Sequence, residues 1–258
     1  MDISTSLFIF VIGAITGSFI NMAIYRIPRK IKLTFPGSFC DQCKEPLNWY
    51  ENVPVISYIL SLGKCSRCGN RYPLTYLIIE VATGLLFIAL YNYAKDIPHF
   101  IYLAFILTMF IIICIIDFKH FIIPDKLILA IAVISLIYFT YTLGTGIYYF
   151  LLSSLILFVV LMGLKIIARF IYGREAFGMG DVKLGAVIGF ILGWKPALLA
   201  IFFGFLLAGL AIMVMAILRK IKRKSYIPFG PFIIGGMVTY LFFGKIIVFW
   251  YFQVFFMH

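Results

Sequence analysis

Two carboxylates and four thiols are the side chains of this 258-residue chain whose type and spacing could do chemistry. Asp117 lies in Ile115-Ile116-Asp117-Phe118 at the end of an apolar run. Asp181 lies in Gly178-Met179-Gly180-Asp181-Val182-Lys183-Leu184. An ionisable group at or near bilayer depth is expensive to keep there, so it marks a functional site by default. Two such acids placed side by side cannot easily both ionise; they share a proton and their proton affinities split. The ionised member can take a proton from water while the protonated one donates to a scissile carbonyl or leaving amine. That is aspartic-protease chemistry. Taken singly, either acid could instead sit at the interface or pair with Lys119 or Lys183.

The thiols come as Cys40-Asp41-Gln42-Cys43 and Cys65-Ser66-Arg67-Cys68-Gly69, with 21 residues between the pairs. Two C-x-x-C knuckles at this spacing read as a tetrahedral all-thiolate zinc site, with Cys40, Cys43, Cys65 and Cys68 as ligands. Four protein ligands close the site to water, so its role is structural. Disulfides are the alternative in an oxidising compartment, and a redox dithiol where a βαβ pattern adjoins. The remaining Cys114 lies in an apolar run and reads as packing.

The elements that must hold these groups are membrane helices. The chain is 64% hydrophobic and 12% charged, with a mean hydropathy of +1.08. Crossing the hydrocarbon core takes roughly 20 apolar residues. Such runs extend from Ser4 to Tyr25, Leu74 to Ala94, Phe100 to Ile116, Lys126 to Leu143 and Gly146 to Ile171. Others extend from Leu184 to Trp194 (short and glycine-rich), Ala197 to Leu218 and Phe229 to Phe252. The expected fold is an all-α polytopic membrane protein of about eight transmembrane helices. Its expected divisions are a first span (1–25), a cysteine-bearing loop domain (26–73) and a transmembrane catalytic part (74–258).

Orientation follows from the basic residues. Arg26, Arg29, Lys30 and Lys32 follow the first span, the reverse of a cleaved signal peptide. The positive-inside rule places the first loop in the cytoplasm and the N-terminus outside. Alternation then puts every Lys and Arg except Lys95, Lys195 and Lys245 on the inner side, giving N-out and C-out. The net charge of +12 is thereby explained by topology and anionic lipid rather than by nucleic acid. Both aspartates fall at the cytoplasmic end of the bundle.

Other residues carry smaller expectations. Gly178 and Gly180 supply backbone geometry closed to other residues, and Gly185, Gly189 and Gly193 form a close-packing helix face. Asp125 is expected to cap the fourth span. Glu80, buried in the second span, is expected to close a network with Asn21 or Arg26. His99, His120 and His258 show no ligand spacing.

In this order the motifs resemble the type IV prepilin peptidases, the G-x-G-D membrane aspartic proteases. The resemblance rests on Gly17-Ser18-Phe19-Ile20-Asn21 with Tyr25-Arg26-Ile27-Pro28, the cysteine pairs, and Pro54-Val55-Ile56-Ser57-Tyr58. It continues through Tyr76 to Glu80, Thr83-Gly84, Ile116-Asp117 with Pro124-Asp125, Gly178 to Leu184, and Ile227-Pro228-Phe229-Gly230-Pro231-Phe232. It implies that Asp117 and Asp181 are the catalytic pair, with Gly178, Gly180, Lys183 and Glu80 in support. It implies a bacterial inner-membrane enzyme that cuts prepilins or pseudopilins after a glycine that ends a basic leader. Asp41, Glu45, Glu51 and Glu175 are acids able to attract such a leader. It further implies N-methylation of the new amine from S-adenosylmethionine, although no Rossmann fingerprint marks a place for that donor. The competing readings are a proton-coupled transporter using Asp117, Asp181 and Glu80, a peptidase without methyl transfer, and a non-catalytic assembly factor.

Overall fold

The computed structural model describes residues 2–34, 37–173, 178–218 and 227–256. The basic cluster from Arg219 to Lys224 and the acid Glu175 lie outside the described residues. Each of the eight apolar runs forms a helix. These are α1 (Ile3–Arg26), α3 (Leu74–Tyr93), α4 (Ile97–His120), α5 (Asp125–Leu143), α6 (Ile147–Tyr172), α7 (Met179–Leu192), α8 (Trp194–Ile217) and α9 (Gly230–Phe256). A five-residue helix, α2 (Ile56–Leu60), lies in the cysteine loop.

Helix ends follow from local chemistry. Pro124 precedes α5 and disfavours helical geometry in the residue before it. Gly173 ends α6 in the left-handed region, at φ 65°, with its N–H bonded to the Arg169 carbonyl. Two boundaries differ from the sequence reading in ways that matter. α4 continues one turn past Ile116, so Asp117 lies within the helix. α7 begins at Met179, so Asp181 lies in its first turn.

Among the described residues, five stretches are long and apolar enough to cross a membrane: Ile3–Arg26, Leu74–Tyr93, Ile97–His120, Asp125–Ile171 and Trp194–Ile217. The fourth contains 47 residues and joins α5 and α6 through the 3-10 turn Gly144–Gly146. At 1.5 Å per residue it would span about 70 Å, more than twice the roughly 30 Å hydrocarbon core. The chain is a multi-pass membrane protein.

The chain forms two compact units, Met1–Ile112 and Ile113–His258, with α4 continuous through the boundary. In the first unit, α1 and α3 cross closely because both are small at the crossing. A Cβ at Gly17 would lie 2.6 Å from the Glu80 Cα, and one at Gly13 would lie 2.8 Å from the Gly84 Cα. Without an apolar driving force between helices in lipid, such close packing is what holds them. Phe87 and Phe100 add an edge-on aromatic contact at 6.0 Å beside Ile9 and Ala104.

The second unit repeats the device. Gly185 faces Leu161 of α6, and a Cβ at Gly189 would meet the Ser153 carbonyl at 2.9 Å. Gly193 does not extend this face as expected. It takes φ 84° and stops α7, a conformation that disfavours any side chain. On α8, Gly204 lies against the backbone of Phe232 and Ile233 in α9.

Candidate active site and metal centre

Asp117 is 5% exposed and reaches across its unit to the start of α9, where its Oδ2 accepts the Gly230 N–H at 3.0 Å. The first N–H groups of a helix have no partner within it and carry its positive end, so an acid suits them. Glycine is required there by space: a Cβ on Gly230 would lie 2.6 Å from the same oxygen. This gives Pro228-Phe229-Gly230-Pro231 a physical reason that the sequence reading did not supply. The clue was a glycine fixed between two prolines.

Asp181 is 7% exposed and occupies the third position of α7. Its Oδ2 accepts the N–H of Gly178 at 2.8 Å, the returning half of a capping box. Gly178 itself has φ −77° and ψ 166°, so no forbidden backbone geometry is used. Gly180 is needed for space instead, since a Cβ there would come 2.9 Å from the Ile123 Cβ. The expectation of special backbone angles is therefore replaced by close approach at Gly180, and neither constraint acts on Gly178.

Ile123 is the meeting point. It packs against Gly180 on one side, and its Cδ1 would lie 3.2 Å from a Cβ on Gly230 on the other. The starts of α7 and α9 thus meet on one side chain, with Asp181 bonded at the first and Asp117 of α4 bonded at the second. The charge of Asp117 acts on Asp181, and Lys165 of α6 opposes it. Asp125 is not the cap that was expected. It is the first residue of α5, makes no capping bond, and pairs with Lys183 at 2.7 Å, linking α5 to α7. Cys114 lies one turn before Asp117 on α4.

The cysteines converge in the first unit. All four Sγ atoms lie within 4.8 Å of one another, and Cys40 and Cys68 are 3.8 Å apart. Two thiolates at 2.3 Å from a tetrahedral ion are roughly 3.8 Å apart, so the donor set fits such an ion. None of the four forms a disulfide. The knuckles share one design. Lys44 N–H bonds to the Cys40 carbonyl and Gly69 N–H to the Cys65 carbonyl, both at 2.9 Å. The residue after each second cysteine has positive φ, 59° at Lys44 and 69° at Gly69.

The knuckle amides lower two of the thiols. At Cys43 the Glu45 N–H works downward, but burial and the neighbouring cysteines outweigh it and raise the thiol to about 11. The N–H groups of Cys68 and Arg67 bring the Cys65 thiol down to about 6. At Cys40 burial works upward, but the N–H groups of Cys43 and Gln42 outweigh it and lower the thiol. Burial, then the neighbouring Cys65, raises Tyr72 beside them. Ser66 donates to Glu51, and Arg67 pairs with Glu45 at 2.8 Å, stitching one knuckle to the other.

Glu80 does not join Asn21 or Arg26 as expected. Its carboxylate accepts the N–H of Val55 at 2.7 Å. Val55 has φ 63°, an unfavourable conformation for a β-branched residue, so Glu80 holds a strained point of the loop on α3. Asn21 donates to the Tyr76 carbonyl. Arg26 donates to the carbonyls of Lys32, Leu33 and Gly37, folding the loop back on α1.

Comparison with known proteins covers both units. Residues 11–94 match the bacterial peptidase A24 N-terminal domain, and residues 104–214 match the type IV leader peptidase family. A prepilin leader peptidase/N-methyltransferase of Bacillus subtilis (strain 168) is 30% identical over 254 residues, covering 95% of this chain and 97% of that one. Its namesake in Klebsiella pneumoniae is 32% identical over 195 residues, covering 73% and 85%. That of Vibrio cholerae serotype O1 is 29% identical over 245 residues, covering 90% and 94%. No solved structure matches.

Proposed function

The chain belongs to the type IV leader peptidase family, and from that premise we propose that Asp117 and Asp181 are the catalytic pair of a membrane aspartic prepilin peptidase. The observation that carries the assignment is that Gly180, next to Asp181, and Gly230, which bonds Asp117, both pack against Ile123, with each acid held through one oxygen by a backbone N–H. The remaining oxygens are left for water and substrate. The ionised carboxylate draws a proton from the attacking water while the protonated one donates to the scissile carbonyl; the proton taken from water then passes to the leaving amine. A carboxylate held by fixed amides does not reorganise during the step, which is where much of the catalytic advantage of such sites arises.

The substrate is a prepilin or pseudopilin with a short basic leader, cut after a glycine, its apolar helix lying in the bilayer. The eight helices cross the inner membrane with both termini outside, which puts the acids and the 26–73 loop domain at the cytoplasmic face. Cys40, Cys43, Cys65 and Cys68 hold a structural zinc ion that fixes the loop; the soft tetrahedral donor set favours it. The released amine is then methylated from S-adenosylmethionine, the second activity in the names of the relatives.

The test is mass spectrometry of a prepilin incubated with the purified enzyme in detergent and S-adenosylmethionine. The expected products are the cut after the leader glycine and a further methyl mass. Both Asp117→Asn and Asp181→Asn abolish the cut. Continued cleavage by either variant would refute the pair.

A further inference from the structure

We propose that Lys165 of α6 is a positioning residue for proteolysis: it holds the single negative charge of the acid pair on Asp181, which makes Asp181 the base and Asp117 the acid. This rests on the reading above that the two aspartates are the catalytic pair. Two neighbouring carboxylates share one proton, so something must decide which of them keeps it. The backbone does not. Each acid is buried and accepts one N–H at a helix start, Asp117 from Gly230 and Asp181 from Gly178. A cation that faces one of them breaks the tie.

The packing of α6 on α7 places that cation. A Cβ at Gly193 would lie 2.8 Å from the Tyr149 ring, one at Gly189 would lie 2.9 Å from the Leu157 Cγ, and Gly185 faces Leu161. From Gly189 to Gly185 α7 steps back four residues while α6 advances four, from Leu157 to Leu161. Such rows are the ridges by which helices pack, here antiparallel. The next step along the same row brings Asp181 of α7 to Lys165 of α6. The charge of Lys165 acts on Asp181, as this register requires.

The surroundings single this lysine out. Leu164, Ile166 and Ile167 beside it are exposed and apolar, as befits a helix face in lipid, whereas Lys165 is half-buried. A charged side chain turned into a membrane bundle is costly and marks a functional position. The other groups near Asp181 do not take its place. Lys183 of α7 is engaged by Asp125 of α5. Lys126 of α5, Arg169 of α6, and Lys119 and His120 at the end of α4 are exposed, and Cys114 lies on α4 with Asp117. Tyr149 of α6 and Lys195 of α8 lie toward the far end of α7, beside Gly193. No described side chain of α9 is charged, and its Tyr240 is about three turns from the helix start.

The assigned roles close the reaction without a further reactant. Asp181 takes a proton from water as the water oxygen bonds to the scissile carbonyl carbon, and Asp117 gives its proton to the carbonyl oxygen. Asp181 then passes its proton to the amide nitrogen as the C–N bond breaks. One hydroxyl of the tetrahedral carbon returns a proton to Asp117 as the new carboxyl group forms. The pair ends as it began, with one proton on Asp117 and the charge on Asp181 beside Lys165.

The test is the pH dependence of kcat/KM for prepilin cleavage by the full-length enzyme in detergent, compared among wild type, Lys165→Met and Lys165→Arg. A cation favours the ionised form of a neighbouring carboxylate, so without it the base ionises only at higher pH. The acidic limb of Lys165→Met is expected to move up by about one pH unit, a loss of about tenfold below the limb and little loss above it. Lys165→Arg keeps the charge and the limb. A uniform loss at every pH, or an unmoved limb in Lys165→Met, overturns the role of Lys165 while leaving the catalytic pair intact. Cleavage that survives Asp117→Asn or Asp181→Asn removes the pair and the proposal with it. The wild-type protein decides the question even if a variant folds poorly. A hydrophobic carbodiimide couples to the protonated member of a buried pair, and peptide mapping at neutral pH is expected to find the adduct on Asp117 rather than Asp181. Adduct on Asp181 in equal or greater amount overturns the assignment.

Discussion

The four-cysteine cluster and the acid pair are built in opposite ways. Each cysteine knuckle is made within six residues, by its own amide hydrogen bonds and one positive φ, and the second repeats the first. The acid pair joins residues separated by 63 others, and only one of the two carboxylates is held by its own motif. Asp181 needs Gly178, which is local. Asp117 needs Gly230, which is 113 positions away. A site that is local in sequence can be designed by spacing. A site assembled from helix ends depends on every helix that aims those ends.

The largest effect that would test this contrast is removal of either acid. Asp117→Asn and Asp181→Asn should each lower the cleavage rate roughly 10³-fold or more, since both halves of the acid–base step are required. Bound metal, measured by atomic absorption, should be unchanged. Loss of metal in either variant would mean that the two regions are not separately built.

The reciprocal change comes next. Cys65→Ser should lose the metal and expose Arg67 and Arg71 to trypsin. Structural zinc contributes on the order of 10 kcal/mol to folding its loop. Cleavage should fall less than in the aspartate variants. Equal loss would show that the loop directly serves proteolysis.

Space around Ile123 gives a graded test. Gly180→Ala forces a Cβ to within 2.9 Å of the Ile123 Cβ, an overpacking worth about 1–3 kcal/mol, and should slow cleavage about tenfold or more. Ile123→Ala should restore part of the rate. Gly178→Ala places its Cβ at an ordinary 3.6 Å from Asp181 Oδ2 and should be nearly silent. Equal effects at the two glycines would point back to backbone conformation.

Two smaller effects remain. Glu80→Leu leaves the Val55 N–H without its acceptor and should cost about 1–3 kcal/mol of thermal stability, while Glu80→Gln keeps an acceptor and should cost less. Lys183→Met breaks an exposed pair with Asp125 worth at most about 1 kcal/mol and should change cleavage only a few-fold. A loss as large as that of Asp181→Asn would make Lys183 part of the chemistry.

Much of this protein was legible without coordinates. Helix identity follows from apolar runs, because the bilayer admits few other ways of satisfying a backbone. The four-cysteine cluster follows from spacing, because a knuckle closes on itself. The candidate acids follow from the cost of placing carboxylates near lipid. Only the tertiary structure decided what holds those acids and why their glycines are glycines. Gly180 and Gly230 are small because Ile123 and Asp117 come from elsewhere to fill the space. Asp125 pairs with a lysine on α7 rather than capping its own helix, and Glu80 grips a strained loop rather than Asn21 or Arg26. Local patterns fix what a segment becomes. Which side chain meets which depends on helices packing through faces whose pairing no single segment encodes.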